Sequence, residues 1–166
     1  QISVEGGDGG VSLIRVTDNG SGIPVEEVEL AFSRYATSKI AGLGDLESIL
    51  SLGFRGEALS SIAAVAEVEI VTCVAGESSG THLALKGGVV AGQGSQGRSP
   101  GTTVTVKGLF QQVPARLKFL KSRATENGHI ASIVSRYALA FPEVRFSLSL
   151  DGRVTLTLPA HVSETK

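Results

Sequence analysis

The sequence predicts an α+β domain, a mixed, mostly antiparallel sheet with helices packed on one face to give a two-layer sandwich. Three observations carry this. Short alternating runs cluster between Val65 and Val106, apolar residues recur at helical spacing from Thr125 to Phe141, and Asp151-Gly152 joins two further alternating runs. A chain of 166 residues with 42% hydrophobic content has single-domain size and can bury a substantial core. Fifteen basic against sixteen acidic residues leave a net charge of -1, so any nucleic-acid surface must be a local patch. The one cysteine, Cys73, excludes an intramolecular disulfide and a cysteine-based zinc cluster, and within an apolar run it reads as a small buried residue. No apolar run reaches membrane-spanning length and no signal-peptide pattern opens the chain, so the expected location is cytoplasmic, with no membrane partner.

Taken in order, Gln1 to Glu5 reads as a strand already under way, followed by a loop over 6–10. The chain contains no methionine, and the expectation is a fragment. Val11, Leu13 and Val16 mark a second strand that delivers Asp18 to its end. Gly20 and Gly22 then form a turn that lets a ligand approach the backbone, and a carboxylate beside it suits a nucleobase edge. Asp-Asn-Gly also suits an ordinary hairpin. Pro24 fits the first turn of a helix with Glu26 and Glu27 near its positive end, running on through Val28, Leu30, Ala31 and Phe32.

Residues 32–53 read as a helix, an exposed polar loop and a second helix. Thr37, Ser38 and Lys39 offer hydroxyls and an ammonium to a nucleotide, and equally fit a helix end followed by a solvated lysine. Gly42-Leu43-Gly44 gives a flexible break suited to a lid, and Asp45 caps a helix carrying Leu46, Ile49, Leu50 and Leu52. Gly53-Phe54-Arg55-Gly56-Glu57 leads into a helix built on Ala58, Leu59, Ile62, Ala63 and Val65. Free amides at that start suit phosphate, while Arg55 pairs with phosphate or with Glu57. No Gly-Lys-Ser/Thr ending occurs, which argues against the P-loop class.

Strands are expected over 65–74, 81–85, 89–92 and 102–106, with a turn over 76–80 and a mobile polar loop over 92–101. Thr102 or Thr103 beside Asp18 suits an adenine and a bridging water, and both are also ordinary strand formers. Arg116, Lys118, Lys121 and Arg123 make a local positive patch, either a solvated face or a contact to a DNA backbone. The helix over 125–141 stops at Pro142, His129 reads as structural, and the hairpin of 146–150 and 154–158 closes the domain.

Four stretches in this order carry a family resemblance: Asp-Asn-Gly-Ser-Gly-Ile from Asp18, Ala-Thr-Ser-Lys from Ala36, Gly-Phe-Arg-Gly-Glu-Ala-Leu from Gly53 and Gly-Thr-Thr from Gly101. Together they resemble the MutL mismatch-repair ATPases of the GHKL superfamily, over essentially the whole chain. Residues 110–121 are similar to that family's Phe-x-Asn-x-Pro-Ala-Arg turn and basic helix, with Gln112 where asparagine is usual. The resemblance implies an ATP site with magnesium, Asp18, Gly20, Gly22, Ile23 and Thr102 on the base side, and Thr37, Ser38, Lys39, Gly53, Phe54, Arg55 and Gly56 towards the phosphates. It also implies a weakly hydrolysing clamp that dimerises through ATP, with DNA and a MutS-type mismatch recognition protein as partners. The family's catalytic glutamate and magnesium-binding asparagine have no counterpart here, so no catalytic residue is assigned and ATP hydrolysis by this piece alone is not expected. Residues 1–159 are read as part of the ATPase domain, and 160–166 as the start of a linker to a second domain. Two alternatives stand beside this: a non-catalytic protein and DNA interaction module with a vestigial pocket, and a topoisomerase ATPase subunit, which does not account for Gly-Phe-Arg-Gly-Glu-Ala-Leu followed by Pro-Ala-Arg.

Overall fold

The computed structural model describes residues 1–34 and 56–161. Their strands form one mixed sheet: β1 (Ile2–Gly7), β2 (Leu13–Asp18), β3 (Glu67–Cys73), β4 (Gly80–Lys86), β5 (Val89–Gln96), β6 (Gly101–Lys107), β7 (Phe146–Leu150) and β8 (Arg153–Leu158). The spatial order is β5-β4-β3-β6-β2-β1-β7-β8. Among the described strands only the β1–β7 pair is parallel, so the expected mixed, mostly antiparallel sheet is what forms. Short helices α1 (Val25–Val28), α2 (Ala58–Ala63) and α3 (Pro114–Leu117) and the long α4 (Arg123–Ala140) complete the described structure.

The ladder register explains the two layers. Residues directly opposite one another across a ladder share a face. Val4, Val16, Val104, Ile70 and Leu83 follow one another across the sheet, as do Gly6, Ile14, Val106, Val68 and Leu85. That face carries the helices. Val28 of α1 and Ala63 of α2 pack with Val68, Ile70, Leu83 and Leu85, while Val134 and Ala138 of α4 pack with Phe146, Leu148 and Leu150. The opposite face is polar. Arg15 lies 3.2 Å from Glu5, His82 Nε2 2.9 Å from Glu69, and Lys86 2.7 Å from Glu67.

Several elements depart from the expectation. The polar stretch expected as a loop over 92–101 is strand as far as Gln96, because β5 pairs its backbone with β4 from Gly80↔Gln96 onward and needs no packed side chains to do so. The helix expected to run through Phe32 ends at Val28 and tightens into a 3-10 turn over Leu30–Phe32, with Ser33 extended beyond it. The basic helix is divided: α3 covers four residues, and α4 begins at Arg123 under a separate cap from the Ser122 hydroxyl to the Thr125 amide. No side chain caps α3, so the longer amide of Gln112 takes no capping role there. The loop expected over 6–10 is strand through Gly7 and then a 3-10 turn at Asp8–Gly10.

Candidate nucleotide site

β2 and β6 are central neighbours, and their shared end places Asp18 beside Thr102. The β2–β6 register runs as far as Thr17↔Thr103, so Asp18 and Thr102 are the next residues at the mouth of the sheet, on the helix face. One carboxylate oxygen of Asp18, Oδ1, accepts from the Gly20 amide at 2.8 Å and from the Thr102 amide at 3.2 Å. Asp18 thereby closes its own turn and ties it to β6, while Oδ2 has no protein partner among the described residues.

Two glycines make this geometry possible. Gly22 has φ +76, and a side chain there would put its Cβ 2.0 Å from the Cys73 carbonyl oxygen. Gly101 has φ +125, and its Cβ would lie 2.2 Å from the Asp18 carbonyl oxygen. Both are seated on backbone, where only a hydrogen fits. Gly20 is exposed, and Ile23 packs partly against the core.

Thr72, completely buried on β3, joins the parts. Its Oγ1 accepts from the Ile23 amide at 2.8 Å, lies 2.9 Å from Thr102 Oγ1 and donates to the Gly101 carbonyl at 3.2 Å. A hydroxyl has one proton and two lone pairs. With its proton on Gly101, Thr72 accepts from both Ile23 and the Thr102 hydroxyl, and the Thr102 oxygen keeps lone pairs for a ligand or water. Sequence reasoning missed Thr72. The available signal is its place as the polar member of the inward series Val68, Ile70, Thr72. Thr103 points to the opposite face, 3.2 Å from Thr17 Oγ1, so of the two threonines Thr102 is the one beside Asp18.

Gly56, with φ +62, leads to α2, whose first turn has no side-chain cap. Thr37, Ser38, Lys39, Gly53, Phe54 and Arg55 lie outside the described residues, as do the expected lid and second helix. The four basic candidates are exposed but sit on separate pieces: Arg116 in α3, Lys118 at its end, Lys121 in the connection and Arg123 opening α4. Arg116 lies over the Phe110 ring, 5.6 Å from its centroid. Cys73 is buried, as expected, and His129 pairs with Glu126 on the α4 surface. Among the described residues no helix is long and apolar enough to cross a membrane, and no three His, Cys, Asp or Glu side chains gather as a metal site.

No family model matches the chain. Similar proteins do. DNA mismatch repair protein MutL of Halothermothrix orenii is 48% identical over 159 residues, covering 96% of this chain and 25% of that protein. MutL of Lactobacillus delbrueckii subsp. bulgaricus is 50% identical over 161 residues, covering 97% and 24%. The solved Aquifex aeolicus MutL ATPase domain complexed with ADP superimposes with a TM-score of 0.76 at 32% identity, over 97% of this chain and 56% of that one. These likenesses over nearly the whole chain support a MutL-type protein of the GHKL ATPase family. The chain spans about a quarter of the length of the curated MutL relatives it matches and about half of the solved domain. These likenesses favour the mismatch-repair reading over the interaction-module and topoisomerase alternatives.

Proposed function

We propose that this MutL-type chain supplies the base side of an ATP site in a cytoplasmic DNA mismatch repair protein, where ATP binding and hydrolysis drive dimerisation of the intact protein and couple mismatch recognition to later repair. The observation that carries the proposal is the Asp18–Thr102–Thr72 constellation at the end of β2, β6 and β3, in a fold similar to a MutL ATPase domain complexed with ADP. Asp18 Oδ2 accepts from the adenine amino group, and Thr102 holds a bridging water. Guanine presents a carbonyl where adenine presents that amino group, so a fixed carboxylate favours adenine.

The two halves of the pocket divide between base and phosphate. Gly20, Gly22 and Ile23 shape the turn around the base, and Gly53, Phe54, Arg55 and Gly56, with Thr37, Ser38 and Lys39, are assigned to the phosphates. The described residues gather no acidic cluster for magnesium. Residues 1–159 are taken as part of the ATPase domain. In the intact protein a MutS-type mismatch recognition protein and DNA are the proposed partners, with Arg116, Lys118, Lys121 and Arg123 touching phosphates. None of the four has a carboxylate within ion-pair distance among the described residues, which leaves their charge available. Such binding is insensitive to sequence and sensitive to salt.

Calorimetric titration of a non-hydrolysable ATP analogue with magnesium, on this chain and on the longer natural protein, tests the reading. Saturable binding to the longer protein that Asp18→Asn weakens at least tenfold supports it. Absence of binding refutes the nucleotide site, and unchanged affinity in the variant removes Asp18 from it.

A further inference from the structure

We infer that Arg98 is a positioning residue for the nucleotide site, gripping Asp18 from behind the sheet while the carboxylate faces the base; the inference rests on the proposed role of Asp18. Arg98 lies in the short connection between β5 and β6, half-buried among exposed neighbours Gly97, Ser99 and Pro100. Its guanidinium reaches three strand ends at once. Nη1 donates to the Val71 carbonyl of β3 at 2.7 Å and to Thr103 Oγ1 of β6 at 2.9 Å, and Nη2 donates to the Asp18 carbonyl of β2 at 3.2 Å. Nε donates to the Ser99 carbonyl at 2.9 Å, which fixes the fork relative to its own loop.

The side of approach matters. Thr103 faces Thr17 on the polar face of the sheet, so the guanidinium arrives from the face opposite the helices. Asp18 is therefore held twice: its carbonyl by Arg98 behind, and its carboxylate by the Gly20 and Thr102 amides in front. Ile2 of β1 still pairs with Asp18 on one side, but the β2–β6 ladder stops at Thr17 and Thr103, so on its β6 side the strand end that carries Asp18 is held by such side-chain bonds. Among the described residues every partner of Arg98 is a carbonyl or hydroxyl and none is a carboxylate, which makes this a geometric clamp and not an ion pair. A planar five-donor fork serves acceptors on three segments at once, whereas an ammonium is a point charge on a flexible stem.

The test uses the longer natural protein with Arg98→Gln and Arg98→Lys, and three readouts: affinity for non-hydrolysable ATP and GTP analogues, amide exchange without nucleotide, and the thermal midpoint. The glutamine variant is expected to weaken the ATP analogue at least tenfold and to narrow the preference for ATP over GTP. It should also speed exchange of the Gly20 and Thr102 amides at least tenfold while amides of β7 keep their protection. The lysine variant, which retains charge but not the fork, should recover only part of each effect and carries the same comparison if the glutamine variant does not fold. Unchanged exchange at Gly20 and Thr102 overturns the inference. So does a uniform rise in exchange across the sheet with the ATP-to-GTP ratio unchanged, since that is loss of stability alone. If the unmodified protein binds no nucleotide, the reading of Asp18 has failed and the exchange pattern by itself decides whether Arg98 holds that turn.

Discussion

Replacing Gly22 by alanine tests the way the Asp18 turn is seated, because the chain contains a matched control. Gly22 and Gly152 both have φ +76, but a Cβ at Gly22 falls 2.0 Å from the Cys73 carbonyl oxygen, whereas at Gly152 nothing lies within 4 Å. Each alanine incurs the left-handed backbone cost, about 1–2 kcal/mol. Only Gly22→Ala must in addition displace a backbone carbonyl at the end of β3, and forced overpacking of this kind costs about 1–3 kcal/mol. Gly22→Ala is thus expected to lose about 2–5 kcal/mol, against about 1–2 kcal/mol for Gly152→Ala. Urea unfolding measures both, with comparable slopes licensing the comparison, and the thermal midpoint should move by roughly 2–4 °C per kcal/mol for a domain of this size. Equal losses in the two variants would refute the argument that Gly22 is required by contact and not by φ alone.

Two further predictions concern the frame around the site. Thr72→Val preserves shape but strips the Ile23 amide of its acceptor and the Thr102 hydroxyl of its partner, so it should cost about 1–3 kcal/mol in urea unfolding and speed exchange of the Ile23 amide; unaltered Ile23 exchange would remove Thr72 as the hub. The Asp8 amide and the Asn127 side chain hold the Asp151 carboxyl below its usual range, and the Lys121 amide, then His129, does the same for Glu126. Folded values below the unfolded ones mean stability that is present above the ordinary carboxylate range and lost as pH falls through the folded values. Asp151→Asn should flatten the acid side of the stability curve between about pH 5 and pH 2, and an undiminished slope would show that the carboxyl is not linked to folding.

Much of this architecture is legible in the residues, because strands that bury one face must alternate. Val104 and Val106, Phe146 to Leu150, and Val68 and Ile70 all carry that period, and Asp151-Gly152 makes the predicted hairpin turn, with both residues at positive φ. The long helix is equally plain, expected over 125–141 with Pro142 beyond its end, while its start at Arg123 under the Ser122 cap comes from the structure. The start of β5 is legible in the sequence, but its continuation from Gln93 to Gln96 escaped because an edge strand is held by backbone pairing, which glycine, serine and glutamine satisfy without any apolar pattern. Asp18, Gly22 and Thr102 were found through their motifs, which record a backbone requirement. Thr72 and Arg98 were not, since each acts through acceptors and donors that are distant in the chain: Thr72 meets Ile23 across 49 positions, and Arg98 meets Asp18 across 80. No local period encodes such a meeting.

Where Asp18 sits suits the discrimination proposed for it. β2 and β6 each have a bonded neighbour on both sides, so the backbone leading to Asp18 and Thr102 is held by ladders on both flanks. Beneath them the cluster of Val68, Ile70, Leu83, Leu85 and Val106 fixes the sheet against α1 and α2. A carboxylate that must separate an amino group from a carbonyl gains nothing from mobility, because hydrogen-bond strength falls steeply once distance and angle drift. Bonds from both faces of the sheet therefore act on Asp18, the residue proposed to set the preference. The second cluster, around Leu148 and α4, is packed on β1, β7 and β8 and shares no buried residue with the first. Substitutions that weaken α4 against β7 should thus lower stability while leaving the Gly20 and Thr102 bonds to Asp18 intact, separating the cost of folding from the cost of recognition.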